Sequence, residues 1–145
     1  NRWNSAIKLT KERPLYGWGP GTYSFVYAPF QDASDLTIIS TNFGDGGNAH
    51  SEYLGPLSEQ GIPGFLIMLL LVIFIFYKAS MLFIRLEDPD LKRLVMMLLL
   101  GLVTYFTHGI LNNYLDTDKA SVPVWGFIAI LVAIDVYIAP KQKHS

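Results

Sequence analysis

Polar and apolar positions are segregated along the chain. Residues 1–60 mix charged, aromatic and glycine positions, whereas residues 62–139 fall into three apolar blocks, 62–84, 94–111 and 122–139, parted by short polar stretches. A membrane-crossing helix needs ~20 mostly apolar residues, so each block predicts one transmembrane helix. The fold class expected is an all-α integral membrane protein: a polar extracytoplasmic loop with short amphipathic helices, followed by three transmembrane helices.

The polar part has its own pattern. Within 2–13, Trp3, Ala6, Ile7 and Thr10 recur at i, i+3, i+4 spacing, with Lys8, Lys11 and Glu12 elsewhere. This predicts an amphipathic helix, stopped before Pro14. It reads either as a surface helix on a protein core or as a helix lying in the membrane interface with Trp3 at headgroup level. Residues 14–47 are punctuated by glycine and proline, yet Tyr16, Trp18, Tyr23, Phe25, Tyr27 and Phe30 argue against disorder and predict an ordered loop packed on a membrane domain. Gly17, Gly19 and Gly21 read as turn glycines, because no strand–loop–helix context or Gly-Lys-Ser/Thr supports a phosphate loop. Asn48 predicts a helix cap with the helix starting near Ala49. That helix would carry His50, Tyr53, Leu54 and Leu57 on one face and Glu52 and Glu59 on the next stripe, with a kink at Pro56.

Charge sets the expected orientation. The stretch 85–93 holds Arg85, Lys92 and Arg93, while 112–121 holds only Lys119 beside Asp116 and Asp118; the tail 140–145 holds Lys141 and Lys143. The positive-inside rule then puts 85–93 and the tail in the cytoplasm, and residues 1–61 and 112–121 outside. Only 16% of residues are charged, against ~25% in soluble domains. The net charge of -1 gives no reason to expect a nucleic-acid partner. The absence of cysteine excludes disulfides and thiolate metal sites. The chain starts at Asn1 with no signal-peptide pattern. We expect further spans upstream, since three helices hardly enclose a site for a lipid substrate, and we expect this piece alone to be inactive.

The chemistry-bearing stretch is Asn48-Ala49-His50-Ser51-Glu52-Tyr53-Leu54, followed by Gly61-Ile62-Pro63-Gly64 at the head of the first block. A histidine titrating near ~6.5 just outside a membrane suits a general base acting on a lipid-borne substrate. The same ring could simply hydrogen-bond within the loop. Glu52 and Glu59 read as solvated charges, or as groups that orient His50 or bind an acceptor. Tyr53 reads as an interface aromatic or a substrate contact. His108, in the second block, is either a neutral histidine bonded to a neighbouring helix or a functional group, since ionisable residues inside a membrane face protein or water. A metal site at Asp45, His50 and Glu52 lacks a second nearby histidine, so no metal is expected.

Taken in order, Trp3-Asn4-Ser5-Ala6, Pro14-Leu15-Tyr16-Gly17-Trp18-Gly19-Pro20-Gly21, the His50 stretch and Glu59-Gln60-Gly61-Ile62-Pro63-Gly64 resemble the O-antigen ligase and O-antigen polymerase superfamily, over most of the chain. The resemblance implies a multi-pass protein of the bacterial inner membrane with a periplasmic catalytic loop. It implies transfer of a glycan from an undecaprenyl-diphosphate carrier to an acceptor, with no metal, cofactor or nucleotide sugar. The acceptor is a lipid A–core sugar in ligases, a growing glycan in polymerases, and a protein serine or threonine in O-oligosaccharyltransferases. His50 stands where the family has its catalytic base. Loop arginines bind the diphosphate in the family, where the usual one stands three or four residues before the loop tryptophan; here that place falls before Asn1, and the loop arginines present are Arg2, adjacent to Trp3, and Arg13. Glu52, Tyr53 and His108 complete the candidate substrate contacts. A reading from another class is a non-catalytic membrane protein of polysaccharide export. Transporters gather charges near the bilayer midplane; here Lys78 and Asp135 lie toward the inner ends of largely uncharged spans.

Overall fold

The computed structural model describes residues 2–32, 34, 47–115 and 118–139, and it is all-α, with no strand among the described residues. In chain order the elements are α1 (Arg2–Glu12), α2 (Tyr23–Val26), a single 3₁₀ turn (Ala28–Phe30), α3 (Leu54–Arg85), α4 (Pro89–His108) and α5 (Asp118–Ala133), which runs on as a wide π turn (Ile134–Ile138). Helices over Leu54–Arg85, Pro89–His108 and Lys119–Ile138 are long and apolar enough to cross a bilayer, and fewer than a quarter of the residues in their most apolar windows are buried. Apolar side chains such as Ile67, Leu70, Met97, Leu100 and Val132 therefore face outward, as they do where the surroundings are lipid rather than water. The chain is an all-α, multi-pass membrane protein.

The chain divides into two compact units: Asn1–Leu70 with Gly109–Asn113, and Leu71–His108 with Tyr114–Ser145. In the second unit the buried positions are Val72, Ile75, Ala79, Leu82 and Leu86 from the α3 side, Val95, Leu98, Leu102 and Phe106 of α4, and Val124, Leu131 and Ile134 of the last span. Their three- and four-residue spacing is that of a single buried helix stripe. Phe76 meets Phe106 edge-on at 5.8 Å. The helix α4 starts before the apolar block 94–111, at Pro89, because Asp88 caps it: Asp88 Oδ1 accepts from Asp90 N at 2.7 Å and Leu91 N at 3.1 Å. Proline at the first helical position is compatible with such a start.

The first unit has a small aromatic core. Ala6, Leu9, Tyr23, Tyr27 and Ala49 are buried, with Trp18, Val26, Phe30 and Leu54 packed on them. Tyr23 and Tyr27 stack at 5.3 Å, and Trp18 meets Phe30 edge-on at 5.8 Å. The loop aromatics thus order the segment up to Asp32. The expected Gly44–Gly47 turn lies outside the described residues, save Gly47. α1 buries Ser5, Ala6 and Leu9, not the face expected through Trp3 and Ile7, which are exposed. The buried stripe is rotated because the core it meets is built from Tyr23 and Tyr27, and Tyr23 Oη donates to Arg2 O at 2.8 Å.

Two glycine motifs interlock. Gly19 N donates to Glu59 O at 2.7 Å, and Ile62 N donates to Pro14 O at 2.8 Å. Gly17 and Gly61 both have left-handed backbones, with φ of 63° and 71°. A Cβ on Gly17 would lie 2.3 Å from the carbonyl of Glu59, and one on Gly61 would lie 2.7 Å from the Pro14 and Leu15 carbonyl oxygens. The turn at 14–17 is therefore seated on the break in α3 at Gly61. That break, with ψ of -167°, replaces the kink expected at Pro56. Pro56 is the third residue of α3, where the amide lacks an intrahelical partner anyway. Glu59, expected as a solvated charge, accepts from Gly21 N at 2.8 Å and Tyr23 N at 3.0 Å. It supplies the cap that Thr22 does not give α2.

Gly61→Ala should therefore lower the thermal midpoint of the full-length protein. A left-handed alanine alone costs ~1–3 kcal/mol, before the backbone clash. Gly55→Ala, with open space around its Cβ, is the matched control. Equal melting of the two variants would remove the interlock from this account of the loop.

Candidate functional site

The predicted cap at Asn48 takes another form. Asn48 Oδ1 accepts from His50 N at 3.1 Å, closing a small turn before any helix. His50 adopts φ of 48°, the described non-glycine residue in the left-handed region. Histidine, asparagine and aspartate are the side chains enriched there. The cap of α3 is Ser51, whose Oγ accepts from Tyr53 N and Leu54 N, both at 3.3 Å. His50 thus stands ahead of α3, not on a face with Tyr53, Leu54 and Leu57. The turn is held from a second side, where Glu52 N donates to Gly109 O at 2.8 Å and Asn112 O at 3.2 Å. The His50 turn is thereby held against residues 109–112 of the same unit.

The ring of His50 is exposed and is met by the first residue of α1. Arg2 Nη1 lies 2.6 Å from His50 Nε2. A guanidinium only donates, so Nε2 is the acceptor, the imidazole is neutral, and its proton is on Nδ1. Trp3 Nε1 adds a bond of 3.4 Å to His50 O. Partial burial, and then the Arg2 charge, hold the His50 pKa below its ordinary value of 6.5. The ring is thus kept in its proton-accepting form near neutral pH.

The other sequence-derived candidates are placed as follows. Glu52 is buried. Tyr53 has its phenol pushed up from the ordinary tyrosine range by burial and then by the Glu52 charge. Arg13 lies over the Trp18 ring at 4.1 Å. His108 ends α4 and stacks on Tyr114 at 5.9 Å. Asp116 and the Asp118 side chain lie outside the described residues. Sequence reasoning missed Ser51 as the cap and Glu59 as the acceptor for the 21–23 turn. A serine three residues ahead of Leu54, with proline in the first turn, was the available signal for the cap; nothing local marked Glu59.

Residues 1–69 match the family model described as O-antigen ligase. Over these residues the chain is similar to the O-antigen ligase family. The match holds Arg2, Arg13, the glycine interlock and His50, and ends within α3, so α4 and α5 lie beyond it, a shorter reach than the resemblance over most of the chain. No curated protein and no solved structure matches the chain. Together with three span-length helices, that match supports a membrane protein of the O-antigen ligase or polymerase type in general.

Proposed function

We propose that the full-length protein transfers a glycan from an undecaprenyl-diphosphate carrier to a lipid or glycan acceptor at the periplasmic face of the bacterial inner membrane, without metal or cofactor. The lysine and arginine asymmetry of the short hairpins supports that orientation. The observation that carries the reading is the exposed Arg2–His50 pair inside the family segment. His50 is a base in its free form, and Arg2 is a fork of donors suited to phosphate oxygens.

In the proposed reaction the carrier diphosphate draws the Arg2 guanidinium onto its oxygens. This frees the Nε2 lone pair. The acceptor hydroxyl gives its proton to Nε2 as its oxygen bonds the anomeric carbon. The bond from that carbon to the diphosphate breaks, and the electron pair leaves on the diphosphate, stabilised by Arg2. General-base help of this kind contributes ~10²–10⁴-fold.

The test uses purified full-length protein, undecaprenyl-diphosphate-linked glycan and, in separate reactions, lipid A–core or free glycan as acceptor, all in chelator. Transfer to lipid A–core identifies a ligase, and chain lengthening a polymerase. Transfer to neither acceptor nor to a serine- or threonine-bearing protein would sink the reading in favour of a non-catalytic role in export.

A further inference from the structure

Within the second unit, α3 and the last span enclose a groove of about 450 Å³, in the range of ~300–1,000 Å³ of small-ligand pockets. Its walls are apolar, including Leu71, Phe74, Ile75 and Val132, and it ends at Lys78 and Asp135. Lys78 Nζ lies 3.2 Å from Asp135 Oδ2, and Arg85 Nη2 lies 2.6 Å from Asp135 Oδ1. Lys78 and Arg85 are seven residues apart on α3 and so share a face, ~10 Å apart along its axis. The carboxylate between them sits in the π turn, a local widening of the helix that recurs at functional positions.

The charges do not cancel. Two cations share one carboxylate, leaving one positive charge, and the side chains of Lys78 and Arg85 remain 46% and 39% exposed. Each keeps donors that Asp135 does not use. We propose that this groove binds one anionic glycerophospholipid of the bilayer. Its acyl chain lies along the apolar wall, and its phosphate lies at Lys78 and Arg85. Basic residues at the mouth of an apolar cleft between spans are how anionic headgroups are held at a membrane surface. A second helix seated there would instead have to cover both cations and bring its own carboxylate. The proposal does not depend on the glycan-transfer reading.

The test takes full-length protein from nanodiscs with equal phosphatidylglycerol and phosphatidylcholine and measures the retained lipid by native mass spectrometry. We expect a several-fold preference for phosphatidylglycerol. Asp135→Asn removes the shared carboxylate and should raise that preference. Lys78→Gln/Arg85→Gln/Asp135→Asn leaves no stranded charge to impair folding and should abolish it. A purely structural ion cluster would not move the two variants in opposite directions. Three results would overturn the proposal: equal retention of both lipids by the native protein, unchanged preference in the triple variant, or a Val132→Cys variant carrying a thiol-attached photo-crosslinker that cross-links to another helix of the same protein.

Discussion

Replacing His50 with alanine or asparagine should reduce glycan transfer ~10²–10⁴-fold, the range that general-base help contributes, at normal protein level and membrane insertion. The backbone bonds of the turn survive either change, since Asn48 Oδ1 bonds the His50 amide and Trp3 bonds its carbonyl. Asparagine is the cleaner variant because it tolerates the left-handed backbone at φ 48°. Neither replacement offers a nitrogen that accepts a proton near neutral pH. A complementation assay reading surface glycan, with protein level measured beside it, decides the matter. Normal display from His50→Asn at normal level would return the turn to a structural role. His108→Ala, stacked on Tyr114 outside the matched segment, should act through stability and leave the rate per folded molecule unchanged.

The second large effect is expected at Arg2. In the proposed reaction Arg2→Gln takes a charged donor away from the leaving diphosphate and should cost ~10²–10³-fold in kcat, as removal of one donor to a developing negative charge does. It should also move the pH profile. In the proposed reaction His50 works as a free base, so its lowered pKa should preserve activity as pH falls below 6.5. Removing the Arg2 charge lets that pKa rise, and the acid limb shifts to higher pH. Burial, the larger cause, remains, so the limb should still fall below the ordinary histidine value. Arg2→Lys keeps the charge without the fork; it should lose rate with little movement of the limb. An Arg2→Gln profile superimposable on that of the native protein would show that the guanidinium does not act on the base.

The spans were legible in composition alone, because a long apolar run has few other stable uses. The helix at 2–12 was legible in its periodicity, but not the face it buries, since Tyr23 and Tyr27 meet it from across the loop. The histidine stands out in the sequence by its place in the motif. Its partner was not: Arg2 and His50 are 48 residues apart, and no local rule links them. Gly17 and Gly61 were readable as turn residues, yet that they meet backbone to backbone is a tertiary fact. The same holds for Glu59, whose carboxylate looks like any other helix charge until the 21–23 amides are set against it. The cap fell on Ser51 rather than Asn48 because Asn48 spends its side chain on the His50 amide.

Both ends of the stretch between Asp32 and Gly47 are fastened. Asn4 and Lys8 of α1 bond the Asp32 carboxylate. Gly47 lies so flat against the Tyr27 ring that a Cβ there would come within 2.2 Å of it. Asp32 and Gly47 are thus two fixed posts in the loop, and neither is held by the His50 ring or the Arg2 guanidinium. A chain that leaves one fixed post and returns to another pays only ~0.6 kcal/mol in closure entropy for each doubling of its length. The two posts are therefore compatible with connections of many lengths.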